Sequence, residues 1–285
     1  MKKLLMFLAV LVCFYIIGSS LQKVSWLPFG NNGTQAASME NIDMIAINAS
    51  AADVTVIPEN RKDVKANYSG RGKVKVTKNG DIVKVSLERS WLGGFNFWDK
   101  KKLKIYIPKN FNEKMAVNVG SGRFHFSGSS KRHPMNLKDL SIDMTSGLVE
   151  LKNLSVQSFK HKGSSGNAQF HYLKADKANI KMSSGIVDLN HYQGQLNARL
   201  SSGKLKAQFD QLDDPIDIKM SSGILKLDLP EDADFSLDGN VGSGIISCKI
   251  PLKDESRSGK NIRGSYGSGK NKIYVKVSSG MATIY

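Results

Sequence analysis

Cations at a fixed offset carry the most chemistry in this sequence. Four positions before a series of Ser-Gly turns stand Asp143, Lys162, Lys181, Arg199, Lys219 and Asn240. Four consecutive cations, with Lys160 on the same face and Asp217 opposing, make a strip suited to a row of negative charges. Anionic cell-wall polymer and lipid head groups both present such rows. The net charge of +16 points the same way. A plainer role for the strip is to keep a β face soluble and discourage edge association.

Carboxylates offer a second chemistry. Three positions after the turn glycines stand Glu150, Gln169, Asp188, Lys206 and Lys226. Facing acids can hydrolyse glycosides, and acids with calcium serve other polysaccharide chemistry. Glu150 and Asp188 would lie about 10 Å apart, two strand spacings, and Asp143 is the third candidate. All three sit among lysines with no aromatic subsite, the pattern of a solvated face. The histidines (His125, His133, His161, His171 and His191) share no single offset, and His161 falls on an inward position. Cys13 and Cys248 form neither a disulfide framework nor a metal-ligand spacing. We expect no catalytic residues, no metal, no cofactor and no nucleic-acid partner.

These offsets acquire meaning from a repeat. The phrases LSIDMTSGLVEL, FKHKGSSGNAQF, ANIKMSSGIVDL, LNARLSSGKLKA and IDIKMSSGILKL place glycine at 147, 166, 185, 203 and 223, in steps of 19, 19, 18 and 20 residues. A period near twenty marks a solenoid. Positions three, five and seven before the glycine, and two and four after it, are mostly apolar. This period of two predicts a strand on each side of the turn with one buried face. Like coils of near-constant length predict parallel stacking; an antiparallel meander with serine turns is the competing arrangement. The turn reads Thr/Ser-Ser-Gly: glycine supplies the positive φ that it needs, and the hydroxyls are expected to bond nearby backbone groups.

Along the chain, Met1-Lys2-Lys3 precedes an apolar run over 4–17, read within segment 1–21 as an uncleaved transmembrane helix in preference to a removed signal. Residues 22–40 read as a polar spacer, and 41–285 as the β-solenoid domain. Within it, 57–114 breaks the period and predicts β-hairpins over the N-terminal end of the stack, with Asn79-Gly80 as a turn. The aromatic stretch Trp91-Leu92-Gly93-Gly94-Phe95-Asn96-Phe97-Trp98 reads as part of that cap. Regular coils follow over 115–285. The stretch 253–271 reads as an extra loop, because 36 residues separate Gly244 from Gly280, the turn of the expected last coil.

The fold class expected is therefore all-β: a parallel β-solenoid with an N-terminal hairpin insertion and an N-terminal transmembrane helix. The Ala52-Asp53-Val54-Thr55-Val56 phrase, Tyr106-Ile107-Pro108-Lys109, the Ser-Gly turns and the terminal Val275-Lys276-Val277-Ser278-Ser279-Gly280 resemble a family of bacterial adhesin-like β-solenoid domains of unknown function, over 42–285. With the anchor added, the whole chain resembles membrane-anchored members tied to envelope stress. The resemblance implies a cell-membrane, single-pass protein with an extracytoplasmic solenoid, and offers no catalytic residues. The reading is a non-enzymatic envelope protein that binds or scaffolds anionic components or other envelope proteins. A carbohydrate-active enzyme and a structural spacer are the alternatives.

Overall fold

In the computed structural model, which describes residues 34–70, 72–88 and 101–285, the alternating phrases become long strands that turn corners without breaking. Strands β9 (Leu148–Gly163), β10 (Asn167–Met182) and β11 (Ile186–Leu200) each begin just after one turn glycine and run almost to the next turn. The apolar columns point inward: Leu140, Phe159, Leu196 and Ile216 are fully or almost fully buried, as are Ile142, Ile180 and Ile218. Phe159 and Phe170 from successive coils meet edge to face at 5.2 Å, an arrangement that suits their quadrupoles.

The coils stack parallel and in register. In β10, Ile180 lies between His161 of β9 and Ala198 of β11, so each inward column continues from coil to coil. This register excludes the meander. The chain is all-β, in a mostly parallel sheet wound as a solenoid.

The turns stack as tightly as the strands. Gly147, Gly166, Gly185, Gly203 and Gly223 have φ between 114° and 124°. A Cβ at Gly185 would lie 2.0 Å from the Gly166 carbonyl oxygen, and one at Gly203 2.0 Å from that of Gly185. Glycine is required here twice over, by the positive φ and by the carbonyl of the coil beneath. That same carbonyl accepts the next coil's amide, as in Ile186 N–H to Gly166 O at 3.0 Å.

At the N-terminal end β2 (Met44–Glu59) pairs parallel with β7 (Lys114–Ser127) on one side. Its other side takes β5 (Ile82–Glu88) and β6 (Lys102–Pro108). Strands β3 (Asp63–Ser69) and β4 (Lys73–Asn79) then add antiparallel, on β6 and β5 respectively. Beyond β3 lies β1 (Thr34–Ser38), also antiparallel. Part of the stretch expected as spacer is thus a strand, because the β3 edge offers backbone partners to Thr34–Ser38. The 4–17 segment, with its membrane-helix reading, and the Trp91–Trp98 stretch lie outside the described residues.

The C-terminal end departs from chain order. Strand β13 (Ile216–Asp228) pairs not with β14 (Phe235–Cys248) but with β17 (Asn271–Ile284), and β17 pairs in turn with β14. The last coil of the chain is the penultimate rung of the stack. The expected loop at 253–271 is largely a hairpin, β15 (Lys253–Ser258) and β16 (Asn261–Tyr266), laid antiparallel on the outer edge of β14. It covers that edge over Phe235 to Asn240 and sends the chain back to the slot between β13 and β14.

A pin at the return holds β17 in place. The Asp234 carboxylate accepts the Ser268 hydroxyl at 2.7 Å and the Gly269 and Lys270 amides at 2.6 and 3.0 Å. The Asn271 side-chain amide donates to the carbonyls of Leu212 and Asp234. The bonds to the Asp234 carboxylate, led by that from the Ser268 hydroxyl, hold its pKa below the ordinary value.

Two predictions follow from this architecture. Gly185→Ala should unfold the stack or lower its melting temperature severely, because the methyl overlaps a backbone oxygen. Gly259→Ala, at φ 57° with nothing within 4 Å, should cost only about 1–2 kcal/mol; equal losses in thermal melts would contradict the stacking role. Asp234→Asn should lower stability at neutral pH. A depressed carboxylate pKa contributes stability above the unfolded value that is lost as pH falls through the folded one. The melting-temperature gap between wild type and Asp234→Asn should therefore close on acidification; a gap independent of pH would contradict the pin.

Candidate functional site, a basic groove along the stack

In-register stacking turns one position of the repeat into a line. The column four residues before the turn runs Asn48, Asn118, Asp143, Lys162, Lys181, Arg199, Lys219, Lys276 and Asn240 in spatial order. Lys162, Lys181, Arg199 and Lys219 stand together as the sequence suggests. The row is one cation longer, because β17 lies between β13 and β14 and places Lys276 beside Lys219. Lys160 is exposed one column over, between Ser141 and Asn179, and flanks the row.

These five cations form one side of a groove of about 860 Å³ that also touches Asn118 and Asp143 toward its N-terminal end. Its other side is the hydroxyl column two residues further on, Thr145, Ser164, Ser183, Ser201, Ser221 and Ser278. Buried Met144, Met182, Leu200 and Met220 lie between the two sides. The turn hydroxyls, expected to bond nearby backbone groups, instead line this groove, and the turns at Gly122 and Gly244 carry Gly120 and Gly242 in their place.

The row is little neutralised from within. Lys219 Nζ lies 3.4 Å from Asp217 Oδ2 and 5.3 Å from the Tyr274 ring centroid. Among the described residues, no carboxylate stands within ion-pair distance of Lys162, Lys181, Arg199 or Lys276. Like charges on neighbouring strands repel, so an anion in the groove would relieve a strain that the protein itself leaves in place.

The candidate acids do not converge. Glu150 is taken by His125, whose Nδ1 lies 3.2 Å from its carboxylate. Asp188 is separated from it by Gln169 in the same column, and Asp143 lies on a different face, at the groove's end. His161 is a core residue: its Nδ1–H donates to the Ile142 carbonyl at 3.2 Å and its ring meets Phe170 edge to face. Burial pushes its pKa down to about 4, so it is neutral at ordinary pH. Burial likewise pushes the half-buried Cys248 thiol up, away from the thiolate that a nucleophile needs. A second polar cluster satisfies itself: His191 Nδ1 lies 2.6 Å from Asp210, while Lys131 bridges Asp210 and the Tyr172 ring.

Fold and groove together define a parallel β-solenoid with a polar, cation-lined furrow. The chain belongs to the Toastrack DUF4097 family, whose pattern matches residues 42–284. No functionally curated protein matches it. Among solved structures, it is similar to a "putative adhesin" of Bacteroides fragilis at 13% identity and a TM-score of 0.42, over 88% of this chain and 96% of that one. A "putative lipid binding protein" of Parabacteroides distasonis aligns at 17% identity and a TM-score of 0.39, over 90% and 98%. A "putative cell adhesion protein" of Clostridium sporogenes aligns at 14% and 0.32, over 88% and 95%. The family is one of unknown function, with no enzyme evident in it.

The arrangement makes a prediction about the row itself. Lys181→Gln with Arg199→Gln removes like-charge repulsion without touching the core, and should leave the melting temperature unchanged or raise it slightly at low salt. Any gain should fade at high salt, where exposed charges are screened. A clear loss of stability would mean that the row has internal partners after all.

Proposed function

We propose that this protein is a non-enzymatic, polyanion-binding module of the cell envelope. In this reading the 4–17 segment tethers it in the membrane, and the solenoid stands on the extracytoplasmic side. The carrying observation is the row Lys162, Lys181, Arg199, Lys219 and Lys276, in register at one cation per coil, in which, among the described residues, Lys219 alone has a carboxylate within ion-pair distance. At about 4.8 Å per strand spacing the row spans about 19 Å. Its field would concentrate polyanions from solution and hold them by releasing their counterions.

Binding of this kind weakens steeply with salt. Five contacts to a flexible polyanion give a log–log slope of about −3.5. The full chain, carried in discs of neutral lipid, should retain polyphosphate at low salt. Lys181→Glu, Arg199→Glu and Lys276→Glu together should lower that affinity at least about a hundredfold and flatten the slope. A triple variant that binds like wild type, with an unchanged slope, would leave the row a solubilising face.

A further inference from the structure

We infer that the groove takes a single linear phosphodiester chain, laid lengthwise along the solenoid axis, and not a flat anionic bilayer surface. The inference rests on the polyanion reading and adds the shape and chemistry of the occupant.

The first observation is that the cations stand in single file. The neighbouring outward column on the strand side, two residues earlier, runs Lys160, Asn179, Asn197, Asp217, Tyr274 and Asp238. Apart from Lys160 it is neutral or acidic beside the row. Past the turn, the position after the glycine carries exposed Ile186, Ile224 and Met281, with one half-buried cation, Lys204, between the two isoleucines. A planar surface of head groups would press on these columns as well as on the row. It would meet the Asp217 carboxylate and the Asp238–Arg263 ion pair, which offer an anionic surface no net attraction, and gain little beyond the row itself. A single strand of charge touches the row alone.

The second observation is the hydroxyl wall. Each cation is followed two residues later by a serine on the opposite side of the groove: Ser164, Ser183, Ser201, Ser221 and Ser278. All five are exposed, and among the described residues none of their hydroxyls has a hydrogen-bond partner. Each of these five coils thus offers one positive charge and one neutral donor to the same groove. A phosphodiester has two non-bridging oxygens, so one can face the ammonium and the other the hydroxyl. Four of the five cations are lysines. A lysine acts as a point charge that accommodates a rotating tetrahedral phosphate, whereas planar carboxylates are best held by the arginine fork.

The third observation is that the footprint has ends. Asp143 closes the row beside Lys162, and Asn240 follows Lys276. The charged track is therefore about 19 Å long. A chain shorter than this leaves cations unpaired, and a longer one adds little at a single site.

The test uses the full chain in discs of neutral lipid, with two probes: oligo(glycerol phosphate) of graded length, and vesicles of phosphatidylglycerol. We expect the soluble oligomers to bind, with affinity rising with length until they span the row and then levelling off. Ser183→Ala, Ser201→Ala and Ser221→Ala together should weaken oligomer binding by about tenfold, through lost hydrogen bonds to a charged acceptor. The salt slope should stay the same, because no charge is removed, and circular dichroism should show the variant folded. If vesicles bind tightly, oligomers of every length fail to compete and the serine variant is indifferent, the occupant is a membrane surface. The linear-chain inference then falls while the polyanion reading stands. If neither probe binds at low salt, both fall.

Discussion

A contact between glycines sets the geometry of this protein. At each turn the carbonyl of one glycine fills the space where the next coil's glycine would carry a Cβ, about 2 Å from that position. Only a residue without a side chain can stack there, and only at positive φ. The closest approach of coil to coil is thereby fixed at the turn, with little freedom to slip. A one-residue slip would also move every buried side chain to the outer face, so the inward columns and the glycine stack enforce one register together. The line runs unbroken through eight turns, from Gly122 to Gly223 and then through Gly280 to Gly244.

That register makes the surface one-dimensional. Any residue type that recurs at one offset becomes a stripe along the axis, which is how five cations and five serines come to face each other across a groove. A stripe of like charge is mildly unfavourable in an isolated protein. It persists here without a matching stripe of acids: among the described residues Asp217 alone makes an ion pair with it, and Asp143 stands at its end. The acids lie elsewhere: Glu150 against His125, Asp210 between His191 and Lys131, Asp234 at the return into β17. They act locally, as partners and pins, and leave the groove's charge largely exposed.

Much of this was legible from residue spacing, because period-two alternation around a fixed glycine states both the strands and their buried face. The inward place of His161 and the four-cation row followed from that alignment alone. The order of the last coils was not legible. Parallel pairing depends on which edges are free once the hairpin has formed, and nothing in chain order records that β15 and β16 would turn the chain back. The signal that could have found it is likeness: Lys276-Val277-Ser278-Ser279-Gly280 resembles Lys219-Met220-Ser221-Ser222-Gly223 more than Asn240-Val241-Gly242-Ser243-Gly244 does. Placement by likeness would have put Lys276 into the row. Strand β1 was missed for a related reason, since Thr34 to Ser38 has too little apolar alternation to announce a strand and is recruited by the open edge of β3.

The central claim is that like stacks on like, so that Lys276 stands between Lys219 and Asn240 and the cation row is continuous. Paired cysteines test it most directly, in a chain whose own Cys13 and Cys248 are replaced by serine. Neighbouring rungs lie about 4.8 Å apart, within the span of a disulfide, whereas alternate rungs lie beyond it. Oxidation should therefore join Cys at 219 to Cys at 276, and Cys at 276 to Cys at 240, and leave the 219 and 240 pair reduced. A disulfide between positions 219 and 240, with none to 276, would restore chain order to the stack and break the row.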